Sequence, residues 1–305
     1  MNRHKCSSRQ SGRAAIAAGF VLALGAPSIS VSAQGSQAPS SNEVRPATSI
    51  EEIESLGERI YLHDQAAWHA SDAIVADIGA SVPPPVLGYI VLPTTDGKLE
   101  TVFFGQNEGV PVARARYRVD GSRVTGGGLV ETPGGDPLGS GARRLLEARD
   151  TALTEAERRE WALCAEARPN IVILGPDAND VVSVYILTPQ IDTASYPMGG
   201  HFLVRVGPGG EVVSARRYMK TCVPMGTGKA GKDGHAMIAA GVVHVLDPGP
   251  TEMHAFVSRY LSIPMLVTTR EGQFMIKDGR VKRLGDKGKG ASAKRRRERS
   301  KDATR

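Results

Sequence analysis

The chain has few cysteines and no apolar run long enough to span a membrane. Only three cysteines occur in 305 residues, which excludes a small scaffold held together by disulfides. The apolar run Ala14 to Ala26 has 13 residues, whereas a helix needs about 20 to cross a bilayer. These absences exclude a multi-span membrane protein, and the length fits one large globular domain or two smaller ones.

The sequence also lacks the motifs that would assign a reaction. Neither the zinc motif H-E-x-x-H nor the nucleophile elbow G-x-S-x-G of hydrolases occurs in it. Residues 226–232 read GTGKAGK and approach a phosphate-binding loop, but Asp233 stands where such a loop needs Ser or Thr to hold Mg²⁺. A flexible Gly/Lys loop is the favoured interpretation, and no cofactor is expected.

The positive charge of the chain is carried by its ends. The formal net charge is +6, from 38 basic and 32 acidic residues. Residues 1–33 contribute +4 and residues 280–305 contribute +9, which leaves −7 for residues 34–279. The globular part is therefore acidic, and no specific nucleic-acid partner is expected for it.

Residues 1–33 have the layout of a secretory signal peptide. Basic residues precede the apolar run, and the small-residue site Val31-Ser32-Ala33 follows it. We expect cleavage after Ala33, which also removes Cys6, and a periplasmic or secreted location; a retained anchor is the alternative. Residues 34–48 are rich in Ser and Pro and are expected to form a disordered linker.

Residues 285–305 are expected to form a disordered basic tail, because they include no large apolar residue to offset the entropy of ordering. The tail contains the consecutive cations Lys294, Arg295, Arg296 and Arg297. Two roles stay open for it, a solubilising tail and adhesion to an anionic membrane or polysaccharide surface. The sequence indicates no other partner.

Two helices are predicted between these ends. Ser49 and Glu52 have the spacing of a capping box, so the first helix should begin there, and it should end before Pro83. Thr154 and Glu157 repeat the spacing and predict a second helix that runs from about residue 155 to residue 168.

Strand patterns fill the remaining chain, and the class they predict is α+β, with antiparallel sheets built from hairpins and two main helices. The expected globular domain is 49–284, either as one body or as two lobes, 49–135 and 151–284. The predicted strands are 89–92, 101–104, 114–119, 123–124, 171–174, 181–187, 201–206, 211–218, 237–246, 253–261, 264–268 and 273–283. Asp-Gly turns are predicted at 96–97, 120–121 and 278–279.

Cys164 and Cys222 remain after removal of the leader. An exported protein passes through an oxidising compartment, so a disulfide between these two residues is the favoured interpretation. Two buried free thiols or one nucleophilic cysteine are the alternatives, although no family-specific signature surrounds either residue.

Histidines with acidic neighbours are the candidates for a chemical site. His201, Glu252 and His254 lie near the ends of predicted strands, which a sheet could bring together. His63 lies at the edge of the apolar stripe of the first helix and is the fourth candidate. His69 follows six residues later, whereas paired ligands on a helix lie three or four apart. The alternative is that these histidines are ordinary packed residues, and no metal site is expected.

Three segments together resemble a group of uncharacterised exported proteins of alphaproteobacteria. They are residues 58–69 (ERIYLHDQAAWH), residues 187–190 (LTPQ) leading to 196–202 (YPMGGHF), and residues 250–254 (PTEMH). The likeness extends over much of residues 58–283, and it implies a periplasmic or secreted bacterial protein with an α+β fold. It implies no activity.

The function expected from these observations is an exported, non-enzymatic domain that serves in binding or interaction at the cell envelope. A periplasmic hydrolase or metal-binding protein that uses His201, Glu252 and His254, with His63, is the alternative.

Overall fold

The computed structural model describes residues 49–79, 85–228 and 237–285, which belong to one compact unit of the chain. The described residues form three helices and fifteen strands, which confirms the predicted α+β class. The helices are α1 (Ile50–Ile78), α2 (Ser140–Arg158) and α3 (Glu252–Ser258). The strands are β1 (Gly88–Pro93), β2 (Leu99–Asn107), β3 (Val110–Asp120), β4 (Arg123–Leu129), β5 (Asp136–Pro137), β6 (Asn170–Leu174), β7 (Val182–Leu187), β8 (Ser195–Met198), β9 (Phe202–Val206), β10 (Val212–Arg217), β11 (Val223–Gly226), β12 (Ala240–Val243), β13 (Met265–Thr269), β14 (Gly272–Lys277) and β15 (Arg280–Arg283).

The long helix α1 begins and ends where the sequence predicts. The Ser49 hydroxyl oxygen accepts a hydrogen bond from the Glu52 N–H at 3.1 Å, and the helix is capped at its other end by Gly79. Six of its buried positions recur at intervals of three, four or seven residues, which places them on one face: Ile53, Gly57, Ile60, Ala67, Ala70 and Ile74. This face contacts α3, β6 and the first sheet, so α1 connects the main parts of the fold.

Strands β1 to β4 form the first sheet in sequence order, with β5 beside β3. The predicted turns at 96–97 and 120–121 join β1 to β2 and β3 to β4. The sheet packs against the C-terminal half of α1, where Ala70 and Ile74 lie in one cluster with Phe103 and Tyr117.

The second sheet has the antiparallel order β10-β9-β7-β6 and contributes to two hydrophobic clusters. Ile171 and Ile173 of β6 belong to the cluster that contains α2, whereas Val172 and Leu174 belong to the cluster that contains α1 and α3. This alternation follows from the two-residue period of a strand, and it leaves both faces of the sheet covered.

The last sheet contains the only parallel pair among the described strands, β12 with β13. The helix α3 makes the crossover between these two strands, whereas β14 and β15 form the predicted hairpin at 278–279. α3 also crosses α1 closely at Gly57, where a Cβ atom would lie 2.6 Å from the Cβ of Ala255. Only glycine permits this approach.

Two predicted elements are wrong. The helix α2 spans Ser140–Arg158 rather than 155–168, so Thr154 lies inside the helix and does not cap it. The position of α2 is decided by the burial of Leu145, Leu146 and Ala152 and not by the local capping signal. Residues 253–261, predicted as a strand, instead contain α3, whose N-cap is Thr251. Every residue of α3 is buried, and a short apolar run does not distinguish a strand from a buried helix. The short strands β5, β8 and β11 were not predicted.

The predicted disulfide between Cys164 and Cys222 is confirmed, with the two Cα atoms 5.5 Å apart. It packs against Gly200, whose φ of +62° favours glycine. A Cβ atom at Gly200 would lie 2.4 Å from the Thr188 hydroxyl oxygen and 3.0 Å from the Cys164 sulfur. The Gly-Gly pair that precedes His201 is therefore explained by its contact with the bridge.

The predictions for the two chain ends lie outside the described residues. These are the signal peptide with cleavage after Ala33, the linker 34–48 and the basic tail from residue 286, including Lys294 to Arg297. In the part of the chain that the structure describes, no helix combines the length and the apolar character needed to cross a membrane.

Candidate functional site

His201, the first sequence candidate, is a fully buried residue that fixes the loop between β7 and β8. Its Nε2 lies 2.8 Å from the Pro197 carbonyl, and its Nδ1 accepts a hydrogen bond from the Thr188 N–H at 3.2 Å. Burial lowers the pKa of His201 to about 4, so the ring is neutral at pH 7 with the proton on Nε2. Both ring nitrogens are bonded to main-chain groups, which gives the ring a positioning role.

Glu252 and His254 lie at the buried start of α3. His254 Nδ1 accepts a hydrogen bond from the Thr251 N–H at 3.0 Å, and burial lowers the pKa of His254. A Glu252 carboxylate oxygen accepts a hydrogen bond from the Tyr218 hydroxyl at 2.6 Å. The His254 ring also lies edge to face with the ring of His244, their centroids 4.6 Å apart. These residues hold α3 in the core.

His63, the fourth candidate, lies on α1 with its Nδ1 2.8 Å from the Arg59 carbonyl oxygen. Burial lowers its pKa. None of the four candidates is among the residues that line the two cavities described below. Within residues 49–79, 85–228 and 237–285, no group of three or more His, Cys, Asp or Glu residues could hold a metal ion.

A cavity of about 380 Å³ lies between α1 and the loop that follows β7. We call it the aromatic cavity, because four of its thirteen lining residues are Trp68, Tyr89, Tyr196 and Tyr260. α1, β1 and β8 supply the first three, and Tyr260 follows α3. The cavity therefore exists only where four separate parts of the chain meet.

Asp64 is the buried acidic group of the aromatic cavity, with 5% of its surface exposed. One carboxylate oxygen accepts a hydrogen bond from the Asn170 amide at 2.9 Å, and the other accepts one from the Tyr260 hydroxyl. The Gln65 amide donates in turn to the Tyr260 hydroxyl oxygen at 3.1 Å. Burial raises the pKa of Asp64, because the carboxylate has lost water without gaining a positive partner.

The aromatic walls are buried or half-buried on one side and exposed to solvent on the other. The Tyr196 and Tyr260 rings stack with their centroids 4.3 Å apart, and the Tyr89 hydroxyl oxygen accepts a hydrogen bond from the Ile171 N–H at 3.2 Å. Trp68, by contrast, is 54% exposed at the rim, close to the 72% exposed Ile191. Large apolar groups exposed beside a cavity mark a surface that can bind a ligand.

His201, one of the four candidates from the sequence, supports a wall of the aromatic cavity without lining it. The two main-chain groups that its ring binds belong to Thr188 and Pro197, and these residues bracket residues 189–193 and Tyr196, which form one wall. The bridge at Cys164 is packed against the glycine next to His201. The bridge and the buried ring therefore hold this wall in place.

A second cavity of about 720 Å³ is lined by charged residues of both signs from α1, β9 and β10. Arg205 forms an ion pair with Asp177 at 2.7 Å, and Arg216 binds the Asp247 carboxylate through both terminal nitrogens, one at 3.0 Å. Since these charges already have partners of opposite sign, the second cavity offers less to a ligand than the aromatic cavity does.

Sequence reasoning missed the aromatic cavity, although one signal for it was present. Asp64 follows Ile60 by four residues and precedes Ala67 by three, so it lies on the apolar stripe of α1. A carboxylate on a buried stripe requires partners elsewhere in the fold. The sequence does not show that Asn170 and Tyr260 are those partners.

Comparison of the chain with protein-family models, with curated proteins and with solved structures found no match.

Proposed function

We propose that the protein is an exported, non-enzymatic binding domain of the bacterial envelope and that it binds a small molecule in the aromatic cavity. The observation that carries this proposal is the cavity itself. Its volume of about 380 Å³ lies within the range of small-molecule sites, roughly 300 to 1,000 Å³. Large rings supply its apolar surface, and a few polar groups, chiefly Asp64, Asn170 and Gln190, can orient a ligand.

The location rests on two observations of different kinds. The disulfide between Cys164 and Cys222 is typical of proteins that mature in an oxidising compartment. The first 33 residues have the pattern of an export signal, and the resemblance to exported proteins of alphaproteobacteria agrees with it. Two of the three segments that carry this resemblance contribute residues to the lining of the aromatic cavity, Trp68 and Tyr196.

The hydrolase or metal-binding alternative has weaker support. His201 and His254 have no exposed surface, and Glu252 has 1%. A substrate or water molecule could reach these groups only through a rearrangement of the core. Bound metal in the purified protein, or a hydrolytic activity lost in His254→Ala, would favour the alternative.

A thermal-shift screen of small polar and aromatic compounds tests the proposed function. Trp68→Ala removes the exposed ring at the rim and keeps a good helix former in α1. Val75→Ala is the matched control, because Val75 is 69% exposed on the same helix and does not line the cavity.

We expect compounds that raise the melting temperature of the wild type and of Val75→Ala but not that of Trp68→Ala. If every stabilising compound acts equally on all three proteins, the aromatic cavity is not the binding site and the proposal is wrong.

A further inference from the structure

The lining of the aromatic cavity has charge of one sign only. Of the thirteen described residues that line it, Asp64 and Asp192 are acidic and none is Lys, Arg or His. The second cavity differs, because arginines and acidic residues are mixed in its lining. The aromatic cavity is therefore the more negative of the two.

The two hydrogen-bond donors to Asp64 are neutral groups. They are the amide of Asn170 and the hydroxyl of Tyr260, and neither brings a positive charge to offset the burial that raises the pKa of this carboxyl group, so a bound cation would favour its ionised form. A buried carboxylate is normally paired with a cation, because an isolated charge is costly to remove from water. Asp64 has no such partner within the described residues, and it is one of the residues that line the aromatic cavity.

The walls of the aromatic cavity add to the attraction for a cation. The faces of Trp and Tyr rings carry partial negative charge and attract ammonium groups within about 6 Å. Burial, followed by the charge of Asp64, raises the pKa of Tyr196 and of Tyr260, so both remain neutral phenols at pH 7. Rings from several walls beside a carboxylate are the arrangement that recognises ammonium ligands.

We propose that the aromatic cavity binds a small organic cation, a molecule with an alkylammonium or quaternary ammonium group. The inference rests on the proposed function and adds the ligand class to it. The ammonium group lies against the rings beside Asp64, and the rest of the molecule extends toward Trp68 and Asp192 at the rim. The net charge of −7 on residues 34–279 favours the approach of such a ligand.

Titration calorimetry of the full exported chain with matched probes tests this inference. Choline, tetramethylammonium and butylammonium supply the cation, and 3,3-dimethylbutan-1-ol is the neutral isostere of choline. Calcium chloride tests whether a metal ion takes the site instead. We expect at least one ammonium probe to bind and the neutral isostere to bind at least about tenfold more weakly than choline.

Three substitutions locate the binding. Asp64→Asn removes the charge and keeps the shape, Asp192→Asn does the same on an exposed loop, and Asp72→Asn is the control on the exposed side of α1. We expect the affinity for the ammonium probe to fall at least about tenfold in Asp64→Asn, to fall less in Asp192→Asn and to stay unchanged in Asp72→Asn. Circular dichroism shows whether Asp64→Asn is folded; if it is not, Asp192→Asn and Trp68→Ala decide.

Three results would overturn the inference. If the neutral isostere binds as well as choline and Trp68→Ala abolishes both, the cavity binds a ligand but does not select a cation, and the proposed function stands. If no ammonium probe binds in the millimolar range, or calcium alone binds, the cation proposal is wrong. The proposed function fails separately, when no compound of any charge shows Trp68-dependent binding.

Discussion

Removal of the disulfide should lower the stability of the protein by about 4 kcal/mol. The bridge joins residues separated by 58 positions, and the loss of loop entropy in the unfolded chain gives this value at 25 °C. Cys222 is exposed and Cys164 is half-buried, so little packing is lost when the sulfurs are removed. The effect should therefore arise almost entirely from the missing cross-link.

Urea unfolding of three proteins measures this effect. They are the oxidised wild type, the wild type reduced with dithiothreitol, and the double variant Cys164→Ala, Cys222→Ala. We expect the last two to lose similar stability relative to the first, which corresponds to a fall in melting temperature on the order of 10 °C for a body of this size. Reduction keeps the sequence unchanged and is the control for the packing of the sulfur atoms.

The reasoning would be refuted by a loss below about 1 kcal/mol in both proteins, because the entropy of a 58-residue loop would then not contribute to stability. A loss in the double variant alone would assign the effect to packing. Titration of the denatured, unreduced chain from residue 34 onward should find no free thiol.

Two further predictions concern the supports of the fold. Gly200→Ala should destabilise the protein by several kcal/mol, because the backbone there has a positive φ and the new Cβ atom would clash with the Thr188 hydroxyl group. Gly210→Ala is the control, since Gly210 also has a positive φ but no atom within 4 Å of the added Cβ. It should lose less stability in the same urea assay. A hydrogen bond from Arg158 lowers the pKa of Glu155, and one from Arg159 adds to this effect. Burial acts in the opposite direction, and the resulting pKa is about 2. Its charged form therefore stabilises the fold fully above about pH 4.5, and this contribution is lost as the pH falls through 2. The stability deficit of Glu155→Gln, measured by urea unfolding, should be constant from pH 7 to 5 and shrink toward pH 2; a deficit independent of pH would contradict the assignment.

Local signals in the sequence predicted the parts of the fold that depend on nearby residues. The start of α1 follows from the hydroxyl of Ser49 and the N–H of Glu52, three residues apart. The Asp-Gly hairpins follow from the backbone angles that their turns require. α2 and α3 were mispredicted because distant residues decide them: α2 is placed by apolar side chains that pack on the second sheet, and α3 by burial on all sides.

The candidate site was predicted less well than the fold. The sequence indicated histidines because of their chemistry, yet His201 and His254 are buried and bonded to main-chain groups. Asp64 carried a usable signal through its position on the apolar stripe of α1. The aromatic residues around it come from positions up to 192 residues apart, and no local pattern connects Trp68 to Tyr260.

The sequence by itself predicted the α+β class from the order of its helix and strand patterns, and the start of α1 and the Asp-Gly hairpins from short spacings. It favoured the pairing of Cys164 with Cys222 over free thiols. Only the tertiary structure decided that Asp64 meets Asn170 and Tyr260 in a cavity walled by aromatic rings. The physical reason is that burial is a property of the packed chain. A carboxylate loses its water only when distant segments close over it, and its charge becomes significant for binding only then.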